Sequence, residues 1–201
     1  LTPLQYLSLE SIDLCQGVPE TIAFLRQIGI PVQVVHFVSP AAFLDSVEIV
    51  EGALRITPSC RVSNLLHEAG HIACVPPAYR HLMSGNLYMG TKAMLDSLTT
   101  LEVEPDSPLM RAVIQCSDPE ATAWAWAAGV HLGLPQELII LDEEYDGDGQ
   151  TIRLWLQASA YLGINGLMHA GMCQNPRRPG GYPALRTWLQ DATHTGGRPM
   201  G

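Results

Sequence analysis

Two histidines and a glutamate stand at a spacing that can do chemistry, in the run His67-Glu68-Ala69-Gly70-His71. On a helix, residues four apart share a face, so both imidazoles reach a single Zn2+ while Glu68 faces the open side of the ion as a general base. The helix is predicted independently of the motif. Val62, Leu65, Leu66, Ala69, Ile72 and Ala73 follow the spacing of a buried stripe, which leaves Asn64, His67, His71 and Cys74 outside it. Pro76 and Pro77 close the segment, since neither continues a helix. The plain alternative is that these residues met by accident on a solvated face, and the helical context weighs against it.

A third metal ligand has to come from elsewhere in the chain. Ser117-Asp118-Pro119-Glu120 opens a helix that runs to about His131, and its small alanines allow close approach to the Gly70 side of the first helix. Glu120 fits two roles there: the N3 carboxylate of a Ser-x-x-Glu capping box, or a zinc ligand. Both compete for one carboxylate, and the residues alone leave them level. Cys74 and His36 read as a packing residue and a strand residue rather than ligands. Tyr79, His81, Tyr88 and His169 are candidate donors to a developing oxyanion, each more simply a surface residue. The run from Asp142 to Gly149 faintly resembles a calcium loop, but Trp155 falls where a bidentate glutamate is needed, so a solvated acidic turn is predicted.

The elements that must hold these residues are predicted as follows. Thr2-Pro3-Leu4-Gln5 starts a helix that Gly17 stops, and a second runs from about Pro19 to Ile28 with Gly29 at its C-terminal cap. Val32 to Val38, Val47 to Val50 and Ala53 to Ile56 read as a small, mostly antiparallel sheet, with Glu51-Gly52 as a turn. The metal helix should pack on it, with a strand edge near the zinc open to an extended peptide. Segment 78–117 reads as a polar insertion lying over or beside the cleft, with short helices at Thr91–Thr99 and from Ser107 to Cys116. Helices at Thr151–Leu162 and Gly166–Cys173 make a helix-turn-helix-like pair, followed by one short helix at Leu185–Gln190. This divides the chain into residues 1–135 carrying the site, a helical region 136–192, and a disordered tail 193–201. The fold class is α+β.

With 201 residues and 47% hydrophobic content the chain can bury a substantial core. A net charge of −9 and a single lysine, Lys92, argue against direct nucleic-acid binding. No run of eighteen apolar residues and no signal-like or lipidation segment is present, so no membrane association and a cytoplasmic location are expected. The five cysteines are widely spaced without a C-x-x-C pair and read as reduced core residues.

The order of these parts resembles the ImmA/IrrE family of cytoplasmic zinc metallopeptidases. The resemblance rests on Gln27-Ile28-Gly29-Ile30-Pro31-Val32, Glu51-Gly52-Ala53-Leu54-Arg55-Ile56, Leu65-Leu66-His67-Glu68-Ala69-Gly70-His71 and Pro119-Glu120-Ala121-Thr122-Ala123-Trp124-Ala125, with Leu162-Gly163-Ile164-Asn165 similar to the family's downstream helix-turn-helix. It covers roughly residues 20–170, and only the His-Glu-x-x-His run is specific by itself. Two departures are a longer insertion at 78–117 and tryptophan for phenylalanine at position 124. The resemblance implies a zincin-like fold and a gluzincin-type ligand set of His67, His71 and Glu120. It also implies Glu68 as general base to a zinc-activated water, and a protein substrate such as a transcriptional repressor. The rival of another class is a non-catalytic zinc-bearing interaction module with a vestigial peptidase site.

Overall fold

The computed structural model describes residues 13–193 apart from Ala41, Phe43 and Asn86. The helix expected from Thr2-Pro3-Leu4-Gln5 and nearly all of the expected tail lie outside the described residues. Helix α1, Val18–Ile28, has Pro19 in its first turn and buries Ile22 and Leu25. It ends where Gly29 turns left-handed at φ 100° and donates its N–H to the carbonyls of Leu25 and Arg26.

Three strands follow: β1 Val32–Val34, β2 Val47–Val50 and β3 Ala53–Ile56. They lie in the order β1-β3-β2, with β2 antiparallel to β3 and β1 parallel to it. The sheet is therefore mixed, not mostly antiparallel. The turn at Glu51-Gly52 fixes one hairpin, and β1 enters on the far side of β3, where the direction of its approach makes it parallel. β1 is also shorter than its β-branched run suggests. Val35 gives its N–H to the carbonyl of Ile56, the last residue of β3, and beyond that point no partner strand is found among the described residues. Val32, Val34, Val47, Ile49, Leu54 and Ile56 are buried on one face, while Glu48 and Arg55 pair at 3.7 Å on the other.

Helix α2, Val62–Ala73, packs on β2 and β3 with the whole predicted stripe buried. Against it lies α5, Asp118–His131, buried almost all round from Glu120 to Gly129. The two helices touch backbone to backbone, since a Cβ added at Gly70 would sit 2.5 Å from the Ala121 carbonyl oxygen. This is the close approach that the alanines of α5 suggested.

The insertion is more helical than its composition suggests. It holds a 3₁₀ turn, Pro77–Leu82, then α3, Leu87–Thr100, and α4, Pro108–Ile114, whose first turn is capped by Ser107 accepting from the Met110 N–H. α3 packs on the 3₁₀ turn and on α4. After α5 come α6, Gln136–Ile139, α7, Gly149–Gln157, and α8, Leu162–His169.

The last two helices differ in register from the expected pair. α7 stops early because Ser159 takes a left-handed φ of 55° and closes the helix end with the N–H bonds of Ser159 and Ala160 to Leu156 and Trp155. α8 then runs through Gly163 and Gly166, which the sequence suggested as turn and start signals. Side chains there would collide with the Pro119 carbonyl and the Glu120 carboxylate, so both glycines serve helix packing. Trp155 on α7 is half exposed. Residues 185–190 form an irregular segment, not a helix; the Gln190 N–H reaches the carbonyl of Ala73. One core joins residues on both sides of position 135, with α8 and α6 packed on α5. Among the described residues no helix is long and apolar enough to cross a membrane, and all five cysteines are free thiols.

Candidate metal centre

His67 and His71 stand one turn apart on α2, with ring planes 88° apart and Nε2 atoms separated by 3.2 Å. The carboxylate that joins them is that of Asp118, at the first position of α5. Its Oδ1 lies 3.2 Å from Nε2 of His71 and 3.5 Å from Nε2 of His67. Two donors bound at about 2.0–2.1 Å to a tetrahedral zinc stand about 3.3 Å apart, so three such separations are edges of one coordination tetrahedron. The donor chemistry also fits: two imidazoles and a carboxylate that stays ionised. Hydrogen bonds from His67 and His71 hold the Asp118 carboxyl far below the usual carboxylate range, although the side chain is 80% exposed.

Glu120 is not part of this cluster. It is buried, and one of its carboxylate oxygens accepts from the Ser117 N–H at 3.1 Å and the Ser117 hydroxyl at 2.7 Å. The other sits where a side chain at position 166 would be, against α8. Of the two roles open to this residue, capping is the one observed. The reason is helical phase: positions two apart do not face the same way, so with Asp118 turned to α2, Glu120 must turn aside.

Glu68 lines the cleft in front of the histidines. Burial pushes its carboxyl up, opposed by the charges of His71 and His67. The cleft has a volume of about 200 Å³ and an apolar wall of Leu44, Ala125, Ile139 and Ile140. A second groove, about 170 Å³, runs along β2 on the other side of Glu68. The strand edge beside this groove, that of β2, is partly covered by the chain itself. The Ile49 carbonyl accepts from the Gly85 N–H at 3.1 Å, and Leu44 bridges Val47. Ser84 and Gly85 are the part of the insertion that borders this groove; the remainder packs elsewhere.

None of Tyr79, His81, Tyr88 and His169 lines the cleft. The Tyr79 hydroxyl bonds Ser97, Tyr88 is 72% exposed, and His81 and His169 are on the surface. His36 lies in an exposed bend after β1, and Cys74 is fully buried, where its thiol is pushed up by burial.

The residues that do surround the histidines were missed in the sequence. Asn64 lines the cleft one turn before His67. Thr122, four residues after Asp118, and Tyr145 place their hydroxyl oxygens 2.9 Å apart and each 3.4 Å from Nδ1 of His67. Tyr145 arrives on the acidic run 142–148, which is not simply solvated. Asp142 pairs with Arg153, Glu143 with Arg61 at 2.8 Å, and Glu144 accepts from Ser63 at 2.6 Å and from the Leu141 N–H at 2.9 Å. Tyr145 and Asp146 both take left-handed φ values, 56° and 59°. The one sequence signal for Asp118 was its place beside Glu120 in the same helical turn; for Tyr145 there was none. Comparison with protein-family models, characterised proteins and solved structures finds no match to this chain.

Proposed function

We propose that this chain is a zinc-dependent peptidase whose metal is held by His67, His71 and Asp118. The observation that carries the reading is the set of three donor atoms at tetrahedral-edge spacing, with Glu68 in the same cleft. Zinc held there would supply a Lewis acid that polarises a scissile carbonyl and eases deprotonation of water. The chain's own work falls to Glu68, whose carboxylate takes a proton from the attacking water and returns it to the leaving amine. Its partial burial keeps the proton affinity high enough for that acceptance. Asp118 and the imidazoles bind in the deprotonated form that ligation requires.

The choice of a peptide bond, and of a regulatory protein such as a transcriptional repressor as substrate, rests on the order of motifs that resembles the ImmA/IrrE family. Asp118 in the place of that family's glutamate is a departure from it. A site that bears zinc without catalysis would need no base at position 68. The test is therefore Glu68→Gln, which keeps size and removes the base. The expected outcome is one zinc per chain in both proteins, with cleavage of a candidate regulator or a denatured-protein library slower by about two to four orders of magnitude in the variant. Equal behaviour of the two proteins on every substrate would sink the peptidase reading and leave the interaction module.

A further inference from the structure

Beyond the ligands, α5 brings a second group to the metal helix at the same spacing. Asp118 and Thr122 are four residues apart on α5, as His67 and His71 are on α2, so each helix offers one pair on the face it turns to the other. Asp118 meets the Nε2 side of the histidines, and Thr122 meets the opposite nitrogen of His67. The Tyr145 hydroxyl meets that nitrogen too, and bonds Thr122. With His67 bound to a metal through Nε2, its Nδ1 must carry the proton and needs an acceptor. Two hydroxyl oxygens at 3.4 Å, 2.9 Å from each other, form a shared acceptor, in which each arm of a three-centre bond is longer than a single bond. Thr122 is fully buried, and the left-handed pair Tyr145-Asp146 is a local strain that brings the tyrosine over the histidine.

We infer that Thr122 and Tyr145 are positioning residues that hold His67 in the Nδ1–H tautomer with Nε2 facing the metal. The inference rests on the metal reading above, and its test uses zinc affinity rather than activity. Zinc binding to the purified, metal-free full chain is measured by competition with a chromophoric chelator for wild type, Thr122→Val, Thr122→Ser, Tyr145→Phe and the Val/Phe double variant. Removing outer partners of a ligating histidine typically weakens binding about 10–100-fold. The single variants should fall at the lower end of that range and the double variant at the upper, while Thr122→Ser, which keeps the oxygen, should bind like wild type. Tyr145→Phe keeps the Thr122 hydroxyl beside His67, and it carries the test alone should Thr122→Val not fold. In 1H–15N spectra of the zinc-loaded proteins the His67 Nδ1 proton should be visible and slow to exchange with water in wild type, and should exchange faster in Tyr145→Phe. A variant lacking the hydroxyl that binds zinc as wild type does, with exchange of the His67 Nδ1 proton unchanged, overturns the positioning role and spares the metal site. A wild type that takes up no zinc removes the metal site and this role together.

Discussion

Asp118 and Glu120 show how much rests on the direction of one side chain. Both are acids in the first turn of α5, yet one faces the histidines and the other closes its own helix on Ser117. Substitution separates the two roles. Asp118→Ala should lose most of the zinc affinity and leave the metal-free fold near wild-type stability, because the side chain is largely exposed. Glu120→Ala should keep zinc bound while lowering unfolding stability by about 0.5–2 kcal/mol, the range for a lost helix cap. Metal analysis and urea unfolding of the two variants check both statements. If the losses are exchanged, with Glu120→Ala losing the metal and Asp118→Ala keeping it, the third ligand is Glu120 and not Asp118.

At the scale of elements, the site exists because α2 and α5 touch. Gly70 stands one residue before His71, and its missing side chain is what admits the Ala121 backbone. A methyl group there meets carbonyl oxygen rather than a flexible side chain, so the helices must move apart. Gly70→Ala should therefore cost about 1–3 kcal/mol of stability, the usual penalty for overpacking. It should also weaken zinc binding, since Asp118 retreats with α5. A variant that is destabilised but binds zinc with wild-type affinity would show that the ligand spacing tolerates the shift. The loop 141–148 is the second element that matters. Asp142, Glu143 and Glu144 are anchored to Arg153, Arg61 and Ser63, and this is the part of the chain that borders the histidine cleft where the insertion had been expected. Ser63→Ala should loosen the loop, seen as faster cleavage by added protease within 141–148 and unchanged cleavage within 78–117.

For the whole molecule, the buried thiols set a limit on alkaline stability. Burial pushes Cys60 and Cys116 up to about 12 and Cys173 to about 11. In the unfolded chain a thiol ionises near about 8.5. Each of these groups therefore keeps its proton in the folded state where the unfolded state has lost it. Their contribution is fully present below the unfolded value and is lost as pH rises towards the folded one. Each such thiol should steepen the fall by about 1.4 kcal/mol per pH unit in that window. Unfolding free energies measured in urea should be level from pH 7 to 8 and decline steeply above pH 9. A level profile to pH 10.5 would mean that the thiols ionise as freely in the folded protein as in the unfolded chain.

The residues of α2 determined a good deal by themselves. Its apolar stripe and the spacing of His67, Glu68 and His71 are local properties of one helix, and so are the ends of α1 and the β2–β3 turn, because caps and turns act within a few residues. The extent of β1 and the direction of its pairing were not legible, since a strand continues only as far as a neighbour that the chain supplies elsewhere. Gly163 and Gly166 read as breaks because a glycine's local effect is to loosen a helix; their packing against Pro119 and Glu120 appears only once α5 and α8 meet. The same holds for the third carboxylate. Asp118 and Glu120 are nearly equivalent along the chain, and only the angle at which α5 crosses α2, set by Gly70 and Ala121, decides which of them faces the histidines.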